Sequence, residues 1–163
     1  MADIVDGVLS DDVGGVVVVE VIRDGPRGPV VLERRTTHNL IVNAGKRQTW
    51  RMTMALNTNA WDQMRIGTSA AAATSAQTNV LSAVTGTINT ADSKTLLSGT
   101  RTAQLVISYP SGAGSKSATS IDEVVVLNQN TSPGGSCFMR ATFTSVNKTT
   151  ADKLKITYNF RIT

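Results

Sequence analysis

Apolar and polar residues alternate without a break at the end of the chain. Leu154, Ile156, Tyr158, Phe160 and Ile162 take every second position, with Lys153, Lys155, Thr157, Asn159 and Arg161 between them. A period of two puts alternate side chains on opposite faces of a strand. The stretch therefore predicts a strand with one buried face, integral to the fold. The same period recurs upstream. Ala103, Leu105, Ile107 and Tyr109 alternate in "RTAQLVISY", and Cys137, Met139, Ala141 and Phe143 in "SCFMRATF". "IDEVVVLN" is a β-branched run between them. Gly/Ser- and Pro/Gly-rich turns separate these segments, so residues 101–163 predict four strands of an antiparallel sandwich.

The first half is less regular. Val16–Ile22 is a β-branched run broken only by Glu20, and Val30–Leu32 resumes it after "RDGPRGP". This predicts a hairpin with an irregular connection. In "NAGKRQTWRMTMAL" two periods compete. Trp50, Met52, Met54 and Leu56 alternate, whereas Ala44, Arg47, Trp50, Arg51 and Met54 share a helix face. The good helix formers behind an Asn43 cap favour a helix from about residue 43 to 56. Trp50 and Met54 read as core in either case. Met64 and Ile66 share one side of a short strand that ends at Gly67. Residues 68–100 then form a Ser/Thr/Ala-rich excursion with Asp92 and Lys94 as its only charges, and a short strand is expected near 84–88. The predicted fold is all-β with minor α: an antiparallel β-sandwich or jelly-roll-like domain over 38–163, one short helix, a long loop at 68–100, and an N-terminal β-arm or hairpin at 1–37.

Composition narrows the function. Charged residues are 17% of the chain, and the formal net charge is +4. Basic residues are scattered, densest at Arg34–Arg35 and in "GKRQTWR", and the aromatics are three Phe, two Trp and two Tyr. A nucleic-acid binder normally combines a basic stripe with aromatic platforms, so no nucleic-acid partner is expected. No run of about 18 apolar residues predicts a membrane span, and the acidic start "MADIVDGVLSDD" does not read as a signal peptide. Cys137 is the single cysteine and His38 the single histidine. Cys137 reads as a small core residue and His38 as a local hydrogen-bonding one. Asp122 and Glu123 are adjacent, and neighbours in a strand face opposite ways, so they do not form a catalytic pair. "ISYPSGAGSKSATS" fails the spacing of a phosphate-binding loop and leads into a strand rather than a helix. No catalytic residue, cofactor, metal or small-molecule substrate is expected, and the chain is not read as an enzyme.

Four segments carry a resemblance: "HNLIVNAGKRQTW", "MRIGTSAAAATSAQTNVL", "DEVVVLN" and "RATFTSVNKTTADKLKITYNFRIT". Together they resemble a family of tailed-bacteriophage virion proteins. That family has an N-A-G-K helix start, a G-T-containing loop, a strand with an "ITE" opening, and an "R…F…I-N-K" ending. The resemblance spans about residues 38–163. The middle strand lacks the family's glycine, and residues 1–37 have no counterpart. The resemblance implies a structural virion protein made in the bacterial host cytoplasm and located on the capsid surface. Of the roles it covers, a head decoration (cement) protein bound to the outer surface of the major capsid protein fits the size and single domain, with self-association as a homotrimer. A tail component, fibre-attachment or baseplate, is the alternative. Expected partner contacts are Val16, Val17, Val18, Val19, Val21 and Ile22, with Val30 and Leu32 across the turn, and Val80 and Leu81 of the excursion. The arm they form is expected to dock while the remaining domain folds without it.

Overall fold

The computed structural model describes residues 13–43, 45–46, 61–97, 102–111, 119–128 and 137–162. Ten strands follow one another: β1 (Val13–Gly25), β2 (Gly28–His38), β3 (Leu40–Ile41), β4 (Gln63–Gly67), β5 (Asn89–Thr90), β6 (Ser93–Leu97), β7 (Thr102–Tyr109), β8 (Thr119–Leu127), β9 (Cys137–Lys148) and β10 (Asp152–Ile162). They form two antiparallel five-stranded sheets. Sheet A runs β2-β1-β10-β7-β6 and sheet B runs β3-β9-β8-β4-β5. The fold is the all-β sandwich expected from the alternation.

The inner faces meet in one core. From sheet A come Val17, Val19 and Val21 of β1, Leu154, Ile156 and Tyr158 of β10, and Leu105, Ile107 and Tyr109 of β7. From sheet B come Met64, Ile66, Ile121, Val124, Val126, Met139, Ala141 and Val146. Alternation puts each set on one side of its strand. β10 is the central strand of sheet A, paired with β1 from Arg23–Asp152 to Val13–Ile162 and with β7 on its other side. The regular C-terminal pattern is regular because its strand has neighbours on both edges and a core beneath. Phe160 is half-buried within an aromatic group, 5.2 Å from Phe138 and 6.2 Å from Tyr158, with Trp61 stacked 4.9 Å from Phe138. The side chain of Ile162 is outside the described set.

Three expectations need correction. The N-terminal strand is not an arm. β1 lies between β2 and β10 and gives the core three fully buried valines, because its inward positions are apolar over their whole length. The β1–β2 connection is tight rather than irregular. Gly25 pairs with Gly28 across Pro26 and Arg27, and Gly28 takes φ +112°, a conformation open to glycine and strained for other residues. The irregularity lies within the strands, where the pairing passes from Val21–Glu33 to Ile22–Val31 and leaves Leu32 as an extra, bulged residue. The excursion contains β5 and β6 rather than a strand at 84–88, and β6 returns to close the far edge of sheet A. Of the expected helix, the Lys46 N–H donates to the Val42 carbonyl at 3.0 Å, one turn after the cap. The remainder, with Trp50 and Met54, lies outside the described residues, as do the loops at 112–118 and 129–136.

β9 and β10 belong to different sheets and are joined by a short corner. Asp152 ties it down. Its carboxylate accepts from Arg23 Nε (2.8 Å) and Nη2 (3.3 Å), from the Thr149 N–H (3.0 Å) and from the Thr149 hydroxyl (2.5 Å). The Arg23 guanidinium holds the Asp152 carboxyl at about 2, below its ordinary 3.8, against the opposing effect of burial.

Candidate functional site

The outer faces of the two sheets differ. On sheet B, Val125 and Leu127 of β8 and Cys137 of β9 point away from the main core, yet they are buried. With Val42 and Val80 they form a second apolar cluster. Its cover is the chain itself, since Val80 belongs to the 68–84 part of the excursion. That part is rich in Ala, Ser and Thr and places only Val80 in the cluster, so apolar contact does not hold it down by itself.

A buried ion pair does. Glu123 of β8 and Arg140 of β9 both lie on the outer side of sheet B, and both side chains are fully inaccessible. Arg140 Nε donates to Glu123 Oε2 at 2.7 Å. Glu123 also accepts backbone N–H groups from Ser69 (3.3 Å), Leu81 (3.1 Å) and Ser82 (2.9 Å). Arg140 donates onward to the carbonyls of Ala71 (2.8 Å) and Ser69 (3.3 Å) and to Gln77 Oε1 (3.3 Å). A buried charge is tolerable only when paired and hydrogen-bonded. Here the pairing groups come mostly from the loop, so the pair and the loop depend on each other.

Gly67 makes room for this. A Cβ at that position would lie 2.3 Å from Glu123 Oε1 and 2.5 Å from the Ser82 carbonyl oxygen. The loop is secured further by Thr68 N–H to Ser82 O (2.8 Å), Val84 N–H to Ile66 O (3.2 Å) and Asn43 N–H to Ser75 O (2.8 Å). The buried Thr87 hydroxyl is 2.6 Å from the Val84 carbonyl and 3.2 Å from that of Ile66. The arrangement supplies a fixed loop on a rigid sheet. The Glu123 carboxylate is occupied by four donors, which suits anchoring rather than proton transfer.

The residues singled out from sequence are dispersed. Val17, Val19 and Val21 are in the main core and are not available to a partner, a correction to their reading as contacts. Val16, Val18 and Ile22 are half-buried on the outer face of sheet A. Val30 and Leu32 are exposed on edge strand β2, as is Val31 between them. Val80 is buried under the excursion, a second correction, whereas Leu81 beside it is exposed. Asp122 and Glu123 serve different neighbours, Asp122 accepting from the Ser145 hydroxyl. His38 is on the outer side of sheet A, and Cys137 is on the outer side of sheet B, so the two do not meet. Burial pushes the Cys137 thiol up to about 12. Burial likewise raises the hydroxyls of Tyr109, which donates to the Met64 carbonyl, and Tyr158.

Sequence reasoning weighed Glu123 only as a carboxylate beside Asp122 and passed over Arg140, so it missed their pairing. A signal was present. Glu123 precedes Val124-Val125-Val126 and Arg140 follows Cys137-Phe138-Met139, so each sits in a strand whose two faces are both apolar. A charge in such a run is buried on whichever side it points. Among the described residues no group of three His, Cys, Asp or Glu could hold a metal ion, and no helix is long and apolar enough to cross a membrane. No family model, curated protein or solved structure matches this chain.

Proposed function

We propose that the chain is a structural virion protein of a tailed bacteriophage, a head decoration protein bound to the outer surface of the major capsid protein shell. The observation that carries this reading is where the resembling segments meet. They are scattered from residue 38 to the end of the chain, yet Asn43, Gly67–Thr68, Glu123 and Arg140 gather at one place on the outer side of sheet B. Each coincides with a residue of the family's motifs. The shared residues build a clasp for a loop, a requirement of shape rather than of chemistry. A small sandwich with a fixed loop suits a protein that acts by contact, where many copies on a shell compensate for modest single interfaces.

Copy number in purified particles tests the proposal. A decoration protein is present in numbers comparable to the major capsid protein on a stained gel. A few copies per particle would move the chain to the tail, as a fibre-attachment or baseplate component. Its absence from particles would overturn both assignments.

A further inference from the structure

Arg65 of β4 is half-buried and has no counter-charge among the described residues. Met64 and Ile66 on either side of it enter the core, so Arg65 lies on the outer side of sheet B, in register with Val125. Its Nε is inaccessible to solvent and has no hydrogen-bond partner. The same holds for Oε1 of Gln63, two residues earlier on that face. Taking a charge out of water without pairing it is unfavourable. The carboxylates nearby are committed. Glu123, next along β8 on the same face, is taken up by Arg140 and three backbone N–H groups. Among the described residues every other carboxylate side chain except that of Asp92 has a cation or a hydroxyl donor elsewhere. Asp92 turns toward sheet A, where its N–H donates to the Val106 carbonyl at 2.8 Å. The segments outside the described residues between β3 and β10 contain no Asp or Glu.

The surface beside Arg65 is uncharged. Val80 of the loop joins the same cluster as Val125, and no charged residue occurs between Arg65 and Asp92. Ala70, Ala71, Ala72 and Ala76 are exposed, and Leu81 is 55% exposed. Alanine loses no side-chain freedom on contact, and the Glu123–Arg140 clasp already fixes the backbone that carries these residues. We infer that this face of sheet B meets the shell, and that the shell presents there an uncharged patch with one carboxylate side chain set against Arg65. The inference rests on the proposed function, whose shared residues gather on the same face. Charge selects the occupant. A patch with several acids would find a single cation, and a patch with none would leave the guanidinium desolvated and unpaired. An arginine ringed by uncharged groups has the anatomy of a binding hot spot. A second copy of this chain is a poorer occupant, since Asp92 is its one uncommitted carboxylate among the described residues and is tied to sheet A.

The test uses the full chain and purified shells lacking it. Arg65→Met keeps an apolar stem and removes the guanidinium. Its melting temperature should equal or exceed that of the wild type, because an unpaired donor leaves the fold. Its affinity for shells should fall by about tenfold or more. Lys155→Met, on the outer face of sheet A, should bind as the wild type does. An equal loss in Lys155→Met would mean that net charge draws the chain to the shell, and overturns the inference. If Arg65→Met does not fold, Arg65→Lys keeps the charge without the planar fork and should weaken binding by about threefold or more. Unchanged binding of whichever variant folds overturns the inference and leaves the proposed function standing. The remaining carboxylate side chains of the chain, Asp3, Asp6, Asp11 and Asp12, lie within residues 1–12. Changing them all to Asn should alter neither melting temperature nor shell affinity. A loss of stability there that Arg65→Met reproduces would put the counter-charge within the chain and overturn the inference. Failure of the wild type to bind shells overturns the proposed function and the inference together.

Discussion

Glu123 and Arg140 put opposite charges where water does not reach, and each satisfies the other while both hold the loop above them. Removing one leaves the other buried without its counter-charge. Glu123→Ala should therefore cost about 3–5 kcal/mol in urea unfolding, whereas replacing both residues with apolar side chains of similar volume should cost less than either single change. A loss in the double variant equal to the sum of the two single losses would mean that the two act separately. Asp152 answers to pH. Its folded-state value of about 2 lies below the ordinary 3.8, so the unfolded chain takes up a proton first as the medium is acidified. Its contribution is complete above about pH 4 and is lost as pH falls toward 2. Arg23 is half-exposed, so solvent screens the pair and the effect is modest. Unfolding curves of the wild type and Asp152→Asn should be modestly separated at pH 5 and converge toward pH 2. A constant separation would contradict the assignment.

Among the elements, β10 was the most legible. Its alternation identified the buried face, and Leu154, Ile156 and Tyr158 lie there. Phe160→Asp would set a carboxylate among Phe138 and Tyr158 and should lower stability by about 2–3 kcal/mol. Thr157→Asp, on the outer face, should change it by about 0.5 kcal/mol or less. Equal melting temperatures would show that the alternation does not mark the buried side. β1 was misread for a physical reason. Val16–Val19 is apolar at both parities, which looks like surplus apolar surface awaiting a partner. In the fold the odd positions fill the core and the even ones lie half-covered on a sheet face. Deleting residues 1–37 should therefore unfold the chain, because it removes Val17, Val19 and Val21 together, each worth about 1.5–3 kcal/mol when buried. A native-like circular dichroism spectrum with cooperative melting of the truncated protein would contradict this. The excursion was the least legible element. Its cover over sheet B depends on backbone N–H and C=O groups, which every sequence has, meeting two charges far along the chain.

For the whole molecule, the two sheets share one core but present different outer surfaces. Among the described residues, sheet B is covered by the chain's own loop, whereas Val16, Val18 and Ile22 on the outer face of sheet A are half-buried. The ion pair under the loop creates this difference, so the account depends most on whether Glu123 holds the loop in place. Amide hydrogen exchange measures that directly. In the wild type, the Leu81 and Ser82 amides, bonded to a buried carboxylate, should exchange slowly. In Glu123→Ala, under conditions where the variant remains folded, those amides should lose protection while amides of β10 keep theirs. Slow exchange at Leu81 and Ser82 in the variant, or fast exchange there in the wild type, would contradict the account.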